Sequence, residues 1–234
     1  MSKGILSHPA CKEFYEQINS RQLCVRCREE RKMFAPNDKK HNSSYSNMIP
    51  GFSSRHLNIP IDVLIIAEAH GGGRKEGFRE QIGLQAELEG LEHYYLQQDL
   101  SKHHQSEMRK LLIQFDELNF SWVFTDLVKC FVWQANKGGL DGRENFKIAI
   151  RHCSKYLDEQ LSLLKPKVIL SLGSRVSSFF EIKYPKHGNV YQRKGFSVLH
   201  STFPSRNTAD HWVKNKEWVP IINQIGSLLG LRLS

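Results

Sequence analysis

Four cysteines, two carboxylates and one histidine stand where their chemistry could be used. Cys24 and Cys27 form a C-x2-C pair, a spacing with which one short turn points two sulfurs at a common centre. Cys130 ends an apolar run and Cys153 falls in an amphipathic stretch, so the four sulfurs can converge if the N-terminal segment folds back on the rest. Four thiolates suit zinc and an iron-sulfur cluster alike, and spacing leaves that choice open. Two buried cysteines beside an incidental pair are the remaining reading. Cys11 brings the total to five, an odd count that argues against a disulfide framework.

Glu68, Asp126 and His200 lie at or just past the ends of short apolar runs. A carboxylate there can position or activate water, and an imidazole can stabilise negative charge growing on a leaving group. Glu68 is followed by Gly71, Gly72 and Gly73, which remove side chains and let a loop swing wide. A phosphate cradle is the other use of such a run, but no lysine-serine signature follows, which argues against nucleotide hydrolysis.

The elements that must position these residues alternate. Ile61 to Ala67 is a β-branched run suited to a strand buried on both faces, and similar runs cover Ser121 to Val128, Val168 to Leu172 and Phe196 to Leu199. Amphipathic stretches at Ser101 to Leu118, Arg143 to Leu164 and Ser174 to Glu181 separate them, and a short helix is expected from Pro9 to Asn19. The alternation predicts a three-layer α/β/α sandwich with a central four-stranded parallel sheet. Ligands of such sheets sit beyond the carboxyl ends of the strands. That rule selects Glu68 to Gly73, Asp126 to Trp133, Gly173 to Arg175 and His200 to Asn207. An N-terminal segment, residues 1–58, carries the cysteine pair and a polar connector; residues 59–234 form the α/β/α domain, and the two are expected to make one compact unit.

The 234 residues carry a formal net charge of +9 and a pI near 9.3, which favours a polyanionic partner through release of condensed counterions. No apolar run is long enough to span a bilayer and no signal-like segment opens the chain, so a soluble, cytoplasmic monomer without membrane contact is expected.

The segments together resemble the iron-sulfur branch, of the family 4 type, of the uracil-DNA glycosylase superfamily. Thr125-Asp126-Leu127-Val128-Lys129-Cys130 resembles the family's T-N-x-V-K-C. Cys153-Ser154-Lys155-Tyr156-Leu157 leads to Leu164-Lys165-Pro166-Lys167-Val168 and a run ending in Leu172-Gly173, like the family's helix, L-x-P-K-V stretch and L-G strand end. Ala67-Glu68-Ala69-His70-Gly71 stands where the family has G-E-x-P-G, and His200-Ser201-Thr202-Phe203-Pro204 where it has H-P-S, with the proline displaced. The likeness covers about residues 20–230, with 22 residues between Cys130 and Cys153, a longer loop than the family usually has.

The resemblance implies a DNA glycosylase that flips a base from DNA, hydrolyses its N-glycosidic bond and leaves an abasic site. It implies a 4Fe-4S cluster on Cys24, Cys27, Cys130 and Cys153, structural in role, with Cys11 left over. Glu68 would position the attacking water, Phe78 would stack on the flipped base, and His200 would face the pyrimidine O2. Ala67, Ala69, His70, Gly71, Asp126 and Ser201 would line the base. His70, in place of the family's proline, would contact phosphate, assist the water, or be a solvated loop residue. Phe203 or Arg206 would wedge into the vacated stack, with Ser201, Ser205 and Lys194 on phosphates. The rival expectations are a catalytically inactive module that binds modified DNA and a zinc-stabilised nucleic-acid protein of other chemistry.

Asp126 is the departure that bears on the base. An asparagine amide donates to uracil O4 and accepts from N3-H, whereas an ionised carboxylate only accepts. It opposes O4 but suits the exocyclic amine of cytosine; protonated, it could still read uracil. With the room left by Gly71-Gly72-Gly73, the expected base is either uracil or a C5-substituted cytosine such as phage DNA carries, which extends the role from DNA repair to antiviral defence.

Overall fold

The computed structural model describes residues 5, 8–19, 51–54, 57–69, 105–129, 140–204 and 209–231. In chain order these form α1 (Pro9–Asn19), β1 (Phe52–Ser53), β2 (Val63–Ala69), α2 (Gln105–Glu117), β3 (Trp122–Val128) and α3 (Leu140–Leu164). They continue with β4 (Val168–Leu172), α4 (Ser174–Phe179), β5 (Val190–Arg193), β6 (Phe196–Ser201), α5 (Ala209–Asn215) and α6 (Trp218–Leu228).

Among the described residues the sheet has six strands in the order β1-β3-β2-β4-β6-β5. The four expected strands are its parallel centre: β2 pairs in parallel with β3 and β4, and β4 with β6. The expected count is corrected by two antiparallel edge strands, β1 on β3 and β5 on β6. Neither has an apolar run to announce it. β1 is two residues long, and β5 is mostly exposed and joined to β6 by a tight turn in which Lys194 (φ 49°) and Gly195 (φ 80°) both take positive φ.

Side chains of the central strands alternate between two cores. Val63, Ile65, Trp122, Phe124, Val168, Leu170 and Leu199 pack against Leu111, Leu112 and Phe115 of α2, Trp212 of α5 and Ile221 and Ile225 of α6. Leu64, Ile66, Val123, Leu127, Ile169 and Val198 pack against Cys11 and Tyr15 of α1, Leu157, Leu161 and Leu164 of α3 and Val176 of α4. Both faces are thus covered, the condition under which parallel strands become continuous apolar runs. α1 belongs to the second core, so the N-terminal segment enters the same packing as the sheet.

The motif residues punctuate this frame. α3 stops where Lys165 takes positive φ (48°) and its N–H returns to the Leu161 carbonyl at 3.0 Å, and Pro166 prevents continuation. Lys167 then anchors the start of β4 through Asp62 at 2.8 Å. Trp212, fully buried in the first core, shares its indole N–H between the carbonyl and hydroxyl of Thr202 at 3.2 Å each, fixing the segment that follows His200.

Candidate active site

The parallel strands end together. Thr125 pairs with Ile66, Ile66 with Ser171 and Ser171 with His200, one row across the sheet; in the next row Ala67 pairs with Asp126 and Leu172 with Ser201. Glu68 stands one residue further along β2. Asp126 and His200 are separated by two strands, so their backbones lie about 14 Å apart at about 4.8 Å per strand. Alternation places Glu68 and His200 on the face of Thr125 and Ser171, and Asp126 on the other face at the same end of the sheet.

On the β6 side the site is a chain of hydroxyls ending in an imidazole. His200 is buried, 5% exposed, and its Nδ1 lies 2.7 Å from Ser177 Oγ, which lies 2.9 Å from Ser171 Oγ. Burial, reinforced by the neighbouring His187, pushes the His200 pKa down to about 4. The ring is therefore neutral at neutral pH, and it can donate one N–H without carrying a charge. Ser177 comes from the first turns of α4, a short helix whose entry is Gly173.

Gly173 has to be glycine. It holds φ of 103°, and a Cβ there would lie 2.7 Å from Glu68 Oε1. Glu68 occupies that space because α4 clamps it: the Arg175 backbone N–H donates to Oε1 at 3.2 Å and Arg175 Nη1 to Oε2 at 2.9 Å. The carboxylate is 29% exposed and the guanidinium 41%, so the pair is oriented while still reached by water. Arg175 lay inside a segment marked by the strand-end rule but had no role assigned; its contact to Glu68 bridges 107 positions of sequence and no local pattern announces it.

The β3 side is charged and closed. Asp126 is 6% exposed and Lys129 fully buried, its ammonium donating to the Thr125 hydroxyl, the Asp126 carbonyl and Gln160 Oε1. Gln160 in turn donates to the Tyr15 hydroxyl at 2.8 Å. Burial lowers the Lys129 pKa, while the charges of Asp126 and Cys153 pull it back up. Burial likewise raises the Tyr15 phenol and lifts the Cys11 thiol to about 11. Strand alternation turns the Asp126 side chain toward the face of Trp122 and Phe124, away from Thr125.

The remaining expectations divide. Ala67, almost fully buried, pairs with Asp126 and leaves it room; Ala69 pairs with Val128 at the end of β2. Ser201 is fully buried with its hydroxyl 3.2 Å from the Thr202 carbonyl and 3.4 Å from His187 Nδ1. Phe203 is partly buried and packs against the first core. Lys194 sits in the β5–β6 turn, at the amino end of β6, with Nζ 4.0 Å from the Phe179 ring centroid. The structure thus places it at the end of the sheet opposite to Glu68 and His200 and does not bring it to the site. His70, Gly71, Phe78, Ser205, Arg206, Cys24, Cys27 and Cys130 lie outside the described residues.

Of the expected cluster ligands, Cys153 can be tested against the fold. It is fully buried on α3 and close enough to the Lys129 ammonium for charge to couple them, and Lys129 immediately precedes Cys130. Its position on α3 thus puts its sulfur near the residue that leads into Cys130, as a shared ligand set requires. Cys153 therefore fits the role, whereas Cys11 is a thiol that burial keeps protonated.

No described helix is long and apolar enough to cross a membrane. No curated protein matches the chain. The profile of the Uracil DNA glycosylase superfamily matches residues 82–224, more than half of the chain. The matched stretch contains β3 with Asp126, α3 with Cys153, the clamp at Arg175 and His200, and it begins after Glu68. The matched residues include Asp126, Arg175 and His200 at one end of the parallel sheet, and the match covers more than half of the sequence: this chain belongs to the uracil-DNA glycosylase superfamily.

Proposed function

We propose that the protein is a DNA glycosylase that extrudes a base from DNA and hydrolyses its N-glycosidic bond. The observation that carries this is His200, a buried imidazole held neutral at a strand end, on the same sheet face and at the same end as an oriented Glu68. As the bond to C1′ breaks, negative charge gathers on the departing base. With Ser171 donating to Ser177 and Ser177 to Nδ1, the ring proton resides on Nε2 and is aimed outward as a donor to the pyrimidine O2. A neutral donor supplies this stabilisation without an imidazolium whose desolvation would be costly. Glu68, kept in one orientation by Arg175, holds the water that attacks C1′. The charge of +9 favours DNA as partner, through contacts to its phosphates.

The base is read from the β3 side. The charge of Asp126 raises the Lys129 pKa against the effect of burial, and an ionised carboxylate at this strand end accepts from an exocyclic amine. We therefore favour a C5-substituted cytosine over uracil as substrate, which makes defence against phage DNA as natural a setting as repair. Cys24, Cys27, Cys130 and Cys153 would hold a 4Fe-4S cluster, which would crosslink the N-terminal segment to the loop after β3. Replacement of Cys153 by alanine is expected to release iron and that of Cys11 to retain it; the reverse outcome would remove Cys153 from the ligand set.

The test is a panel of oligonucleotides bearing uracil, hypoxanthine, cytosine and C5-modified cytosines, assayed for alkali-labile sites. Cleavage of a modified cytosine with little of uracil is expected. Tight binding to the modified strand with no abasic product on any substrate would instead identify a non-catalytic DNA-binding module.

A further inference from the structure

Beside the carboxyl end of β6, three segments that the proposed chemistry does not use converge on one point. His187, from the loop before β5, places Nε2 against Glu217 Oε2; His211, from α5, places Nε2 2.9 Å from Glu217 Oε1. One donor atom from each of the three residues lies within 4.8 Å of the others. Metal–nitrogen bonds of about 2.0–2.1 Å in a tetrahedral zinc site put donor atoms about 3.4 Å apart, so small rotations of these side chains suffice.

The surroundings suit ligation as well. Glu217 opens α6 yet makes no side-chain hydrogen bond to the helix end, and its carboxylate is 7% exposed. The buried carboxylate is turned from its own helix toward two imidazoles. Both rings present Nε2 to the centre and keep Nδ1 for an outer partner: Ser201 Oγ at 3.4 Å for His187, and the Asn215 side-chain amide at 2.8 Å for His211. His187 and His211 are 31% and 53% exposed, so a metal has a path in and a fourth position open to solvent.

We propose that His187, His211 and Glu217 bind one divalent transition metal of the zinc class through two imidazoles and a carboxylate. The site is separate from the expected cysteine cluster and from Glu68 and His200. Its consequence is mechanical. The loop it would tie to α6 already lies along β6, with Gly188 N–H on the His200 carbonyl at 2.9 Å and Gln224 on the Gly188 carbonyl at 2.7 Å. A bound metal would lock this loop beside the imidazole of His200.

Cobalt(II) and zinc titrations of the full chain as purified, with any iron left in place, test the proposal independently of base excision. The expected result is one equivalent of cobalt giving ligand-field bands without thiolate charge transfer, displaced by zinc. His187→Ala and His211→Ala should each weaken zinc binding by more than about tenfold. His211 is largely exposed, so its variant keeps the fold, and thermal unfolding with and without zinc reports binding a second way: wild type is raised in Tm and the variants are not. Equal zinc affinity in both variants, or no cobalt uptake outside the cysteines, would overturn the proposal and leave the three residues as a hydrogen-bonded ion pair.

Discussion

The two flanks of the candidate pocket solve opposite electrostatic problems. The β6 flank is neutral: two hydroxyls and an imidazole, buried on α4, with a pKa pushed to about 4 so that no charge is carried. The β3 flank is ionic: Asp126 and a fully buried Lys129, with Gln160 and Thr125 satisfying the ammonium. A transition state that gathers negative charge is best met by a fixed neutral donor, and a ground-state base is best distinguished by a group whose donor and acceptor pattern is fixed. In the proposed reaction, transition-state stabilisation is assigned to His200 and base choice to Asp126.

Substitutions on the two sides should accordingly fail in different ways. His200→Ala is expected to lower single-turnover excision by about 10²–10³-fold, by a similar factor on every base the enzyme accepts. Asp126→Asn should change the ratio between cytosine-type and uracil substrates by about ten- to hundredfold, the equivalent of about 1–3 kcal/mol in base readout, with less effect on the better of the two. If Asp126→Asn slows all bases alike, the division of labour is wrong. Ser177→Ala removes the Nδ1 partner of His200 and should cost about tenfold in excision, in line with about 1–1.5 kcal/mol for one hydrogen bond, with DNA affinity unchanged.

The smallest expected effect is on stability against pH. His200 titrates near 4 when folded and near its ordinary 6.5 when unfolded, so between these values the unfolded chain binds a proton that the folded one refuses. The contribution is fully present above about pH 6.5 and is lost as pH falls toward 4. Urea midpoints between pH 7 and pH 5 should fall more steeply for the wild type than for His200→Gln; parallel slopes would mean that His200 is not held neutral.

The flanks also differ in how far the sequence announced them. The parallel core was legible because strands buried on both faces must be apolar throughout, as Trp122 to Val128 and Val168 to Leu172 are. α1 ran from Pro9 to Asn19 as read, with proline at the first helical position, where its missing N–H costs nothing. The edge strands were not legible, since β5 is exposed and β1 owes its place to Gly51, where a Cβ would lie 2.1 Å from the Phe124 carbonyl oxygen. Within the candidate site, the strand-end positions of Glu68, Asp126 and His200 were legible because a strand's end is where its side chains stop being needed for packing. Their supports were not, because Arg175, Ser177 and Gln160 act through contacts made only after the sheet has assembled. The packing of Phe203 was not legible, because an aromatic in a loop reads equally as a wedge or as an anchor and its contact is with a core that α2, α5 and α6 form only on assembly.

The most direct test of the account compares rate with affinity in the same two variants. Single-turnover excision and equilibrium DNA binding would be measured for the wild type, Glu68→Ala and His200→Ala on the best substrate of the oligonucleotide panel. The account predicts that both variants bind DNA within a few-fold of the wild type while excision falls by about 10²-fold or more, since both groups act on the transition state. Equal losses of affinity and rate, or undiminished excision in either variant, would contradict it.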